Sequence, residues 1–211
     1  MKFVVFIDVQ NDFVKKGVLA YGYPKKDIVP AIGKYAASIA SNKEFYSILT
    51  RDTHERTVWS AIVEKNGKVV KGEPKEGYLS TLEGKYLPIE HCIKGTPGHN
   101  IADALDKQCL RRFVFDKKTF GSLELPGILQ KYAKAISKSK SFKEKQIDEI
   151  QLCGFCTSIC VISNAILLRA FFPNTKITIL ENLCGDINRE SHEAALAVAR
   201  NCQIEVKKAK A

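Results

Sequence analysis

Carboxylates, an imidazole, lysines and thiols stand immediately behind apolar runs in this sequence. Asp8 follows the run at 3–7, Asp52 and His54 follow 45–50, Asp116, Lys117 and Lys118 follow 113–115, and Cys156 and Cys160 follow 150–155. A carboxylate directly behind an apolar stretch is costly to bury unless it is paired, so Asp8 calls for a cation or a set of donors. Asp52 and His54 are two residues apart, on the same side of an extended segment, and offer an oxygen and a nitrogen to a divalent ion. If Thr157 or Ser158 caps the following helix, Cys160 lies in its first turn, where free N–H groups and the helix dipole favour a thiolate. That position makes Cys160 the candidate nucleophile. Cys92, Cys109, Cys153, Cys184 and Cys202 read instead as small buried hydrophobes.

The elements that must position these groups alternate. Short apolar runs at 3–7, 45–50, 113–115, 150–155, 177–180 and 204–206 read as strands, and 27–40, 101–105, 123–136, 158–172 and 189–200 as helices. Within 27–40 the apolar residues fall at 28, 29, 32, 35, 36 and 39, a helical period with Asp27 placed to cap it. Unbroken apolar strands separated by helices specify an α/β class with a parallel, doubly wound sheet. Ligands of such a sheet bind beyond the carboxyl ends of its strands. Asp8, Asp52, His54, Cys156, Cys160 and a lysine at 117 or 118 therefore converge on one rim. Two stretches break the rhythm. EKNGKVVKGEPKEG (64–77) reads as a hairpin around Asn66-Gly67, within a loop insert near 60–90. Residues 131–145 carry six lysines and read as a solvated surface, without the aromatic alternation that stacks bases, so nucleic acid is not an expected partner.

A chain of 211 residues suits a single domain, 1–211. At 45% hydrophobic and 27% charged it lies away from disordered compositions, and its net charge of +10 admits anionic ligands without bearing on fold. No apolar run approaches the ~20 residues of a membrane span, and the run before Asp8 is too short for a signal peptide, so a cytoplasmic protein is expected. Seven irregularly spaced cysteines read as reduced thiols rather than a disulfide scaffold. Without a second CxxC, a zinc ribbon is not expected. Cys153 and Cys156 do have CxxC spacing, but Cys153 sits inside a strand rather than at the helix start where redox pairs belong.

The segments IDVQNDF (7–13), KKTFGS (117–122) and GFCTSICVISNA (154–165) resemble the isochorismatase-like cysteine hydrolases, a superfamily that includes the nicotinamidases. The resemblance runs over essentially the whole chain. It implies a three-layer, six-stranded, mostly parallel Rossmann-like sheet with helices on both faces, and a catalytic triad of Asp8, Lys117 and Cys160. Lys117 is preferred to Lys118 because the family reads Lys-x-x-aromatic-Gly/Ser, which Phe120-Gly121 completes. LPIEHCIKGTPG (87–98) is similar to the nicotinamidase stretch whose histidine completes a metal site. The resemblance thus implies Asp52, His54 and His91 as ligands, with Glu83 as an additional one, and zinc, iron or manganese as the ion. It further implies oxyanion donors from the backbone of Cys156 and Cys160, a cis peptide between Phe155 and Cys156, and Phe13 as a stacking surface.

Thr53 and Leu87 stand where nicotinamidases carry aromatics, so further pocket walls are expected from Tyr78, Tyr86 or Trp59. The activity implied is that of a cysteine amidohydrolase releasing ammonia from a small carboxamide through a Cys160 thioester. Nicotinamide to nicotinate, a step of NAD metabolism, is the first candidate, in a homo-oligomer. Hydrolysis of a carbamoyl or ureido group is the alternative reading. Isochorismate ether hydrolysis is less expected, since those relatives generally need neither the thiol nor the metal. A non-catalytic binding module ranks lowest, since it has no need of all three triad residues.

Overall fold

The computed structural model describes residues 1–60, 62–65, 68–109, 112–137 and 147–210. Its elements are β1 (Lys2–Ile7), α1 (Val29–Ala40), β2 (Phe45–Asp52), β3 (Val58–Trp59), β4 (Ile62–Lys65), β5 (Lys68–Lys71), β6 (Pro74–Glu76), α2 (Leu82–Tyr86), α3 (Asp103–Asp106), β7 (Arg112–Lys117), α4 (Leu125–Ser137), β8 (Glu149–Phe155), α5 (Ile162–Phe171), β9 (Lys176–Gly185), α6 (Arg189–Asn201) and β10 (Glu205–Lys207). Six strands form one sheet in the order β10-β9-β8-β1-β2-β7, every pair parallel. With the helices packed around it the fold is a three-layer α/β structure. Among the described residues no helix is long and apolar enough to cross a membrane.

The unbroken apolar runs find their reason in this order. β1 lies between β2 and β8, and Phe3, Val4, Val5, Phe6 and Ile7 are all fully buried. Each such side chain contributes about 1.5–3 kcal/mol of transfer free energy, an upper estimate. β8 is buried along its whole length. β7 is one of the two edge strands, and there Phe113 and Val114 remain exposed. α1 packs on α3, and α5 packs on both α4 and α6.

Several boundaries differ from the expectation. The helix expected at 158–172 begins as a π-helical turn, Thr157–Val161, before α5 takes over. The helix at 101–105 shrinks to the single turn of α3, while β9 runs on to Gly185. Asp27 is not the cap residue of α1, which is Ile28, yet its carboxylate accepts the Val29 N–H (3.0 Å) and so serves the same free donor. The insert is an antiparallel ladder of β4 with β5, next to a second of β3 with β6; Asn66 and Gly67 lie outside the described residues. Of the lysine-rich stretch, 131–137 belongs to α4, and 138–145 lies outside the described residues.

Candidate active site and metal centre

The carboxyl ends of β1, β2 and β7 deliver groups to the rim. Asp8, one residue past β1, takes a left-handed conformation (φ 50°), which aspartate tolerates better than most residues. Its N–H donates to Thr50 Oγ1 (3.1 Å), and Thr50 Oγ1 donates back to Asp8 Oδ1 (2.6 Å), so β2 fixes the carboxylate from the side. Lys117, the last residue of β7, extends its ammonium among four acceptors. Nζ stands 2.7 Å from Asp8 Oδ2, 3.4 Å from Asp52 Oδ1, 3.1 Å from Thr119 O and 3.6 Å from Cys160 Sγ. Asp8, Lys117 and Cys160 are 0%, 2% and 5% exposed. The three segments therefore meet. Lys118, one residue past β7, is exposed.

Burial sets the electrostatics. It pushes the Asp8 carboxyl above its ordinary value, against the opposing charge of Lys117. Burial alone would lower Lys117, but Asp52 and Asp8 outweigh it and hold the ammonium well above its usual range. Asp52 goes the other way from Asp8: burial is overcome by Lys117 and by hydrogen bonds from His54 and His91, and its carboxyl is held well down. The Cys160 thiol is pushed well up by burial, with Lys117 opposing.

The turn that carries Cys160 differs from the expectation in its capping. Cys156 is the cap residue and makes no side-chain cap, and neither Thr157 nor Ser158 caps the turn. Thr157 Oγ1 donates to Gly185 O (3.2 Å) and meets His192 Nδ1 (2.9 Å). The Ser158 N–H is taken by the Asp186 carboxylate (2.8 Å). The Phe155–Cys156 peptide is cis. Sequence reasoning also passed over Gln10 and Asn164. The Gln10 side chain accepts from Asp52 N (2.7 Å) and donates to Asp52 O (2.9 Å), bracketing the residue. Asn164 donates to Cys160 O and Phe120 O and accepts from Ser122 N, joining the nucleophile turn to the loop after Lys117.

Asp52, His54 and His91 form a buried group whose ligand atoms lie within 4.8 Å of one another. His54 Nε2 is 2.9 Å and His91 Nε2 3.1 Å from the same oxygen, Asp52 Oδ2. The His91 ring fixes its own tautomer: Nδ1 lies 2.7 Å from Ile89 O and must donate to it. With Nδ1 committed to Ile89 O, the Nε2 of His91 faces the same carboxylate oxygen as that of His54, a convergence that a shared cation would suit. The donor set of one oxygen and two imidazole nitrogens suits a borderline divalent metal. Glu83 does not join this group. Both of its carboxylate oxygens accept the Phe120 N–H (3.1 Å each), which corrects its expected place among the ligands.

Residues 2–210 match the isochorismatase domain. The chain belongs to the isochorismatase family. It is 30% identical over 214 residues to the nicotinamidase of Schizosaccharomyces pombe, covering 96% of this chain and 91% of that one. It is 22% identical over 207 residues to the nicotinamidase/pyrazinamidase of Mycobacterium tuberculosis, covering 98% of each. The crystal structure of the Bacillus subtilis nicotinamidase superposes with a TM-score of 0.69 at 23% identity, over 98% of this chain and 99% of that chain. The Pyrococcus horikoshii pyrazinamidase, solved in complex with zinc, superposes with a TM-score of 0.63 at 18% identity, over 99% of each. These relatives place the chain in the nicotinamidase-like branch of the isochorismatase family.

The cavity of this isochorismatase-family site has a volume of about 280 Å³. Asp52, His91, Cys156 and Cys160 supply its polar wall, and Phe13, Tyr21, Phe120 and Leu87 much of its apolar one. Phe13 also packs edge-on against His91, with ring centroids 5.4 Å apart. The further aromatic walls therefore come from Tyr21 and Phe120, neither of them among those expected. Tyr86 and Trp59 are exposed, and Trp59 pairs instead with Lys71 at 4.6 Å. Tyr78 packs against both imidazoles, tilted against His54 with ring centroids 4.1 Å apart and edge-on to His91 at 4.8 Å.

Proposed function

We propose that this protein is a cysteine amidohydrolase that converts nicotinamide to nicotinate and ammonia, with the chain working as one catalytic domain. The reading rests above all on one observation: a buried ammonium, Lys117, touches both a destabilised carboxylate and the thiol of Cys160, at a cavity that Cys160 shares with Asp52 and His91.

Asp8 is the general base. Burial has raised its affinity for a proton, and it takes the one on Cys160 Sγ while the Lys117 ammonium stabilises the resulting thiolate. The sulfur forms a bond to the carboxamide carbon, and the N–H groups of Cys156 and Cys160 receive the oxyanion. As the tetrahedral adduct collapses, the C–N bond breaks and Asp8 returns its proton to the leaving ammonia. Asp8 then accepts a proton from water, whose oxygen attacks the thioester carbon; the C–S bond breaks and the sulfur regains a proton. Asp52, His54 and His91 would hold the divalent ion, zinc first among the candidates, which supplies a Lewis-acidic anchor for a heteroaromatic ring nitrogen. Phe13, Phe120 and Tyr21 offer ring surfaces to a flat substrate.

An ammonia-release assay across nicotinamide, pyrazinamide, benzamide and a set of carbamoyl and ureido compounds, with and without chelator, tests the reading. Turnover of the ring-nitrogen amides, lost on chelation, supports it. Turnover confined to carbamoyl or ureido compounds would overturn the substrate while leaving the triad in place.

A further inference from the structure

Asp186 is fully buried at the end of β9 and has no part in the mechanism above. Its carboxylate takes three donors, all neutral: Ser158 N–H on Oδ2, and Ser158 Oγ–H and Ile187 N–H on Oδ1, each at 2.8 Å. Its backbone faces the other way. Asp186 O accepts from both Gly22 N and Tyr23 N, and Asp186 N donates to Tyr23 O. Gly22 comes so close there that an added Cβ would lie 2.2 Å from Ile187 O. Tyr21, Gly22 and Ile187 line the substrate cavity, and Ser158 lies between Cys156 and Cys160. One residue therefore ties the wall of the cavity to the turn that carries the sulfur and the oxyanion donors.

We propose that Asp186 is a positioning residue for the oxyanion donors, acting through Ser158. The proposal rests on the reading of Cys160 as the nucleophile. A helix start would ordinarily be capped from within the turn, but here Thr157 is committed to Gly185 and His192. The turn is held from β9 instead. A negative acceptor at a helix start also interacts favourably with the free N–H groups there. Asparagine cannot replace it. Each carboxylate oxygen accepts from a different backbone N–H, so in either orientation the amide NH₂ would face one of them.

The test compares two reactions at Cys160 in the wild-type protein, Asp186→Asn and Ser158→Ala. Acylation by p-nitrophenyl acetate forms the S–C bond through an oxyanion and expels nitrophenolate. Alkylation by iodoacetamide displaces iodide without one. Both are followed by site-specific mass spectrometry, with Cys160→Ala as the blank. In Asp186→Asn the ratio of acylation to alkylation rate falls at least about 10-fold, because the oxyanion donors have moved. In Ser158→Ala, which keeps the backbone contact, the ratio falls by less, about 3-fold. A ratio unchanged in both variants overturns the proposal, as does an equal loss of both rates. If Asp186→Asn does not fold, Ser158→Ala decides alone. Wild-type protein that acylates Cys160 yet leaves nicotinamide intact would overturn the substrate assignment and not the role of Asp186.

Discussion

At the carboxyl ends of β1, β2 and β7, Asp8 and Asp52 share one buried ammonium beside a thiol and a cavity. At the opposite end of the sheet Glu149, the first residue of β8, is also buried. Its Oε1 accepts from Thr178 Oγ1 (2.7 Å) and Lys207 Nζ (2.8 Å), and its Oε2 from Gln151 Nε2 (3.0 Å); Gln151 in turn accepts from the Tyr35 hydroxyl. Burial acts against the charge in both places. At Glu149 the hydrogen bonds from Lys207, Thr178 and Gln151 win, and its carboxyl is held below the ordinary value. At Asp8 burial wins. Buried charge alone therefore does not mark a reactive site. What marks it is a carboxylate that burial leaves eager for a proton, facing a thiol across a shared cation.

The contrast breaks most sharply at the nucleophile. Cys160→Ala should lower ammonia release by about 10⁴–10⁶-fold without changing the melting temperature, whereas Glu149→Gln should leave turnover within about 2-fold. A Cys160→Ala protein retaining a hundredth of the activity would remove the thiol from the mechanism. Next comes the cation. Lys117→Ala leaves Asp8 and Asp52 without their shared partner, so it should cost about 3–5 kcal/mol in urea unfolding and at least about 100-fold in rate. Lys118→Ala, on the exposed side, should stay within about 0.5 kcal/mol. The reverse ranking would mean that β7 presents the wrong residue to the site.

The metal group sharpens the same comparison. After gel filtration, elemental analysis of His54→Ala should find bound metal lost, with affinity down at least about 100-fold, while Glu83→Gln retains it. Equal retention in both would move the site elsewhere. The two residues also show what could be read from the sequence. Asp8, Asp52, His54, Lys117 and Cys160 were legible because each follows an apolar strand, and a parallel sheet sends all such ends to one rim. His91 and the choice of Lys117 came through family resemblance alone. Glu83 was misplaced because its role depends on the Phe120 N–H, and 37 residues of chain separate the two. Asp186, Gln10 and Asn164 were passed over for a like reason: polar residues in loops and helices carry no periodic signal, and only the assembled fold decides whose donors they receive. The exposed Phe113 and Val114 belong here too, since apolar residues on an edge strand look the same in sequence as those on a central one.

The smallest effect lies in pH. The Glu149 carboxyl is lowered in the folded protein, so the folded state binds fewer protons than the unfolded one near the ordinary glutamate value of about 4.3. The stability it contributes is fully present above that value and fades as the pH falls through the lowered one. Glu149→Gln removes the ionisable group and weakens the Lys207 and Thr178 contacts, at a cost of about 1–3 kcal/mol at pH 7. The gap in unfolding free energy between wild type and variant should therefore hold from pH 8 to about pH 5 and narrow on further acidification. Urea titrations at each pH measure it. A gap that widens on acidification would mean that Glu149 is held protonated, as burial alone would have it, and would erase the distinction drawn between the two ends of the sheet.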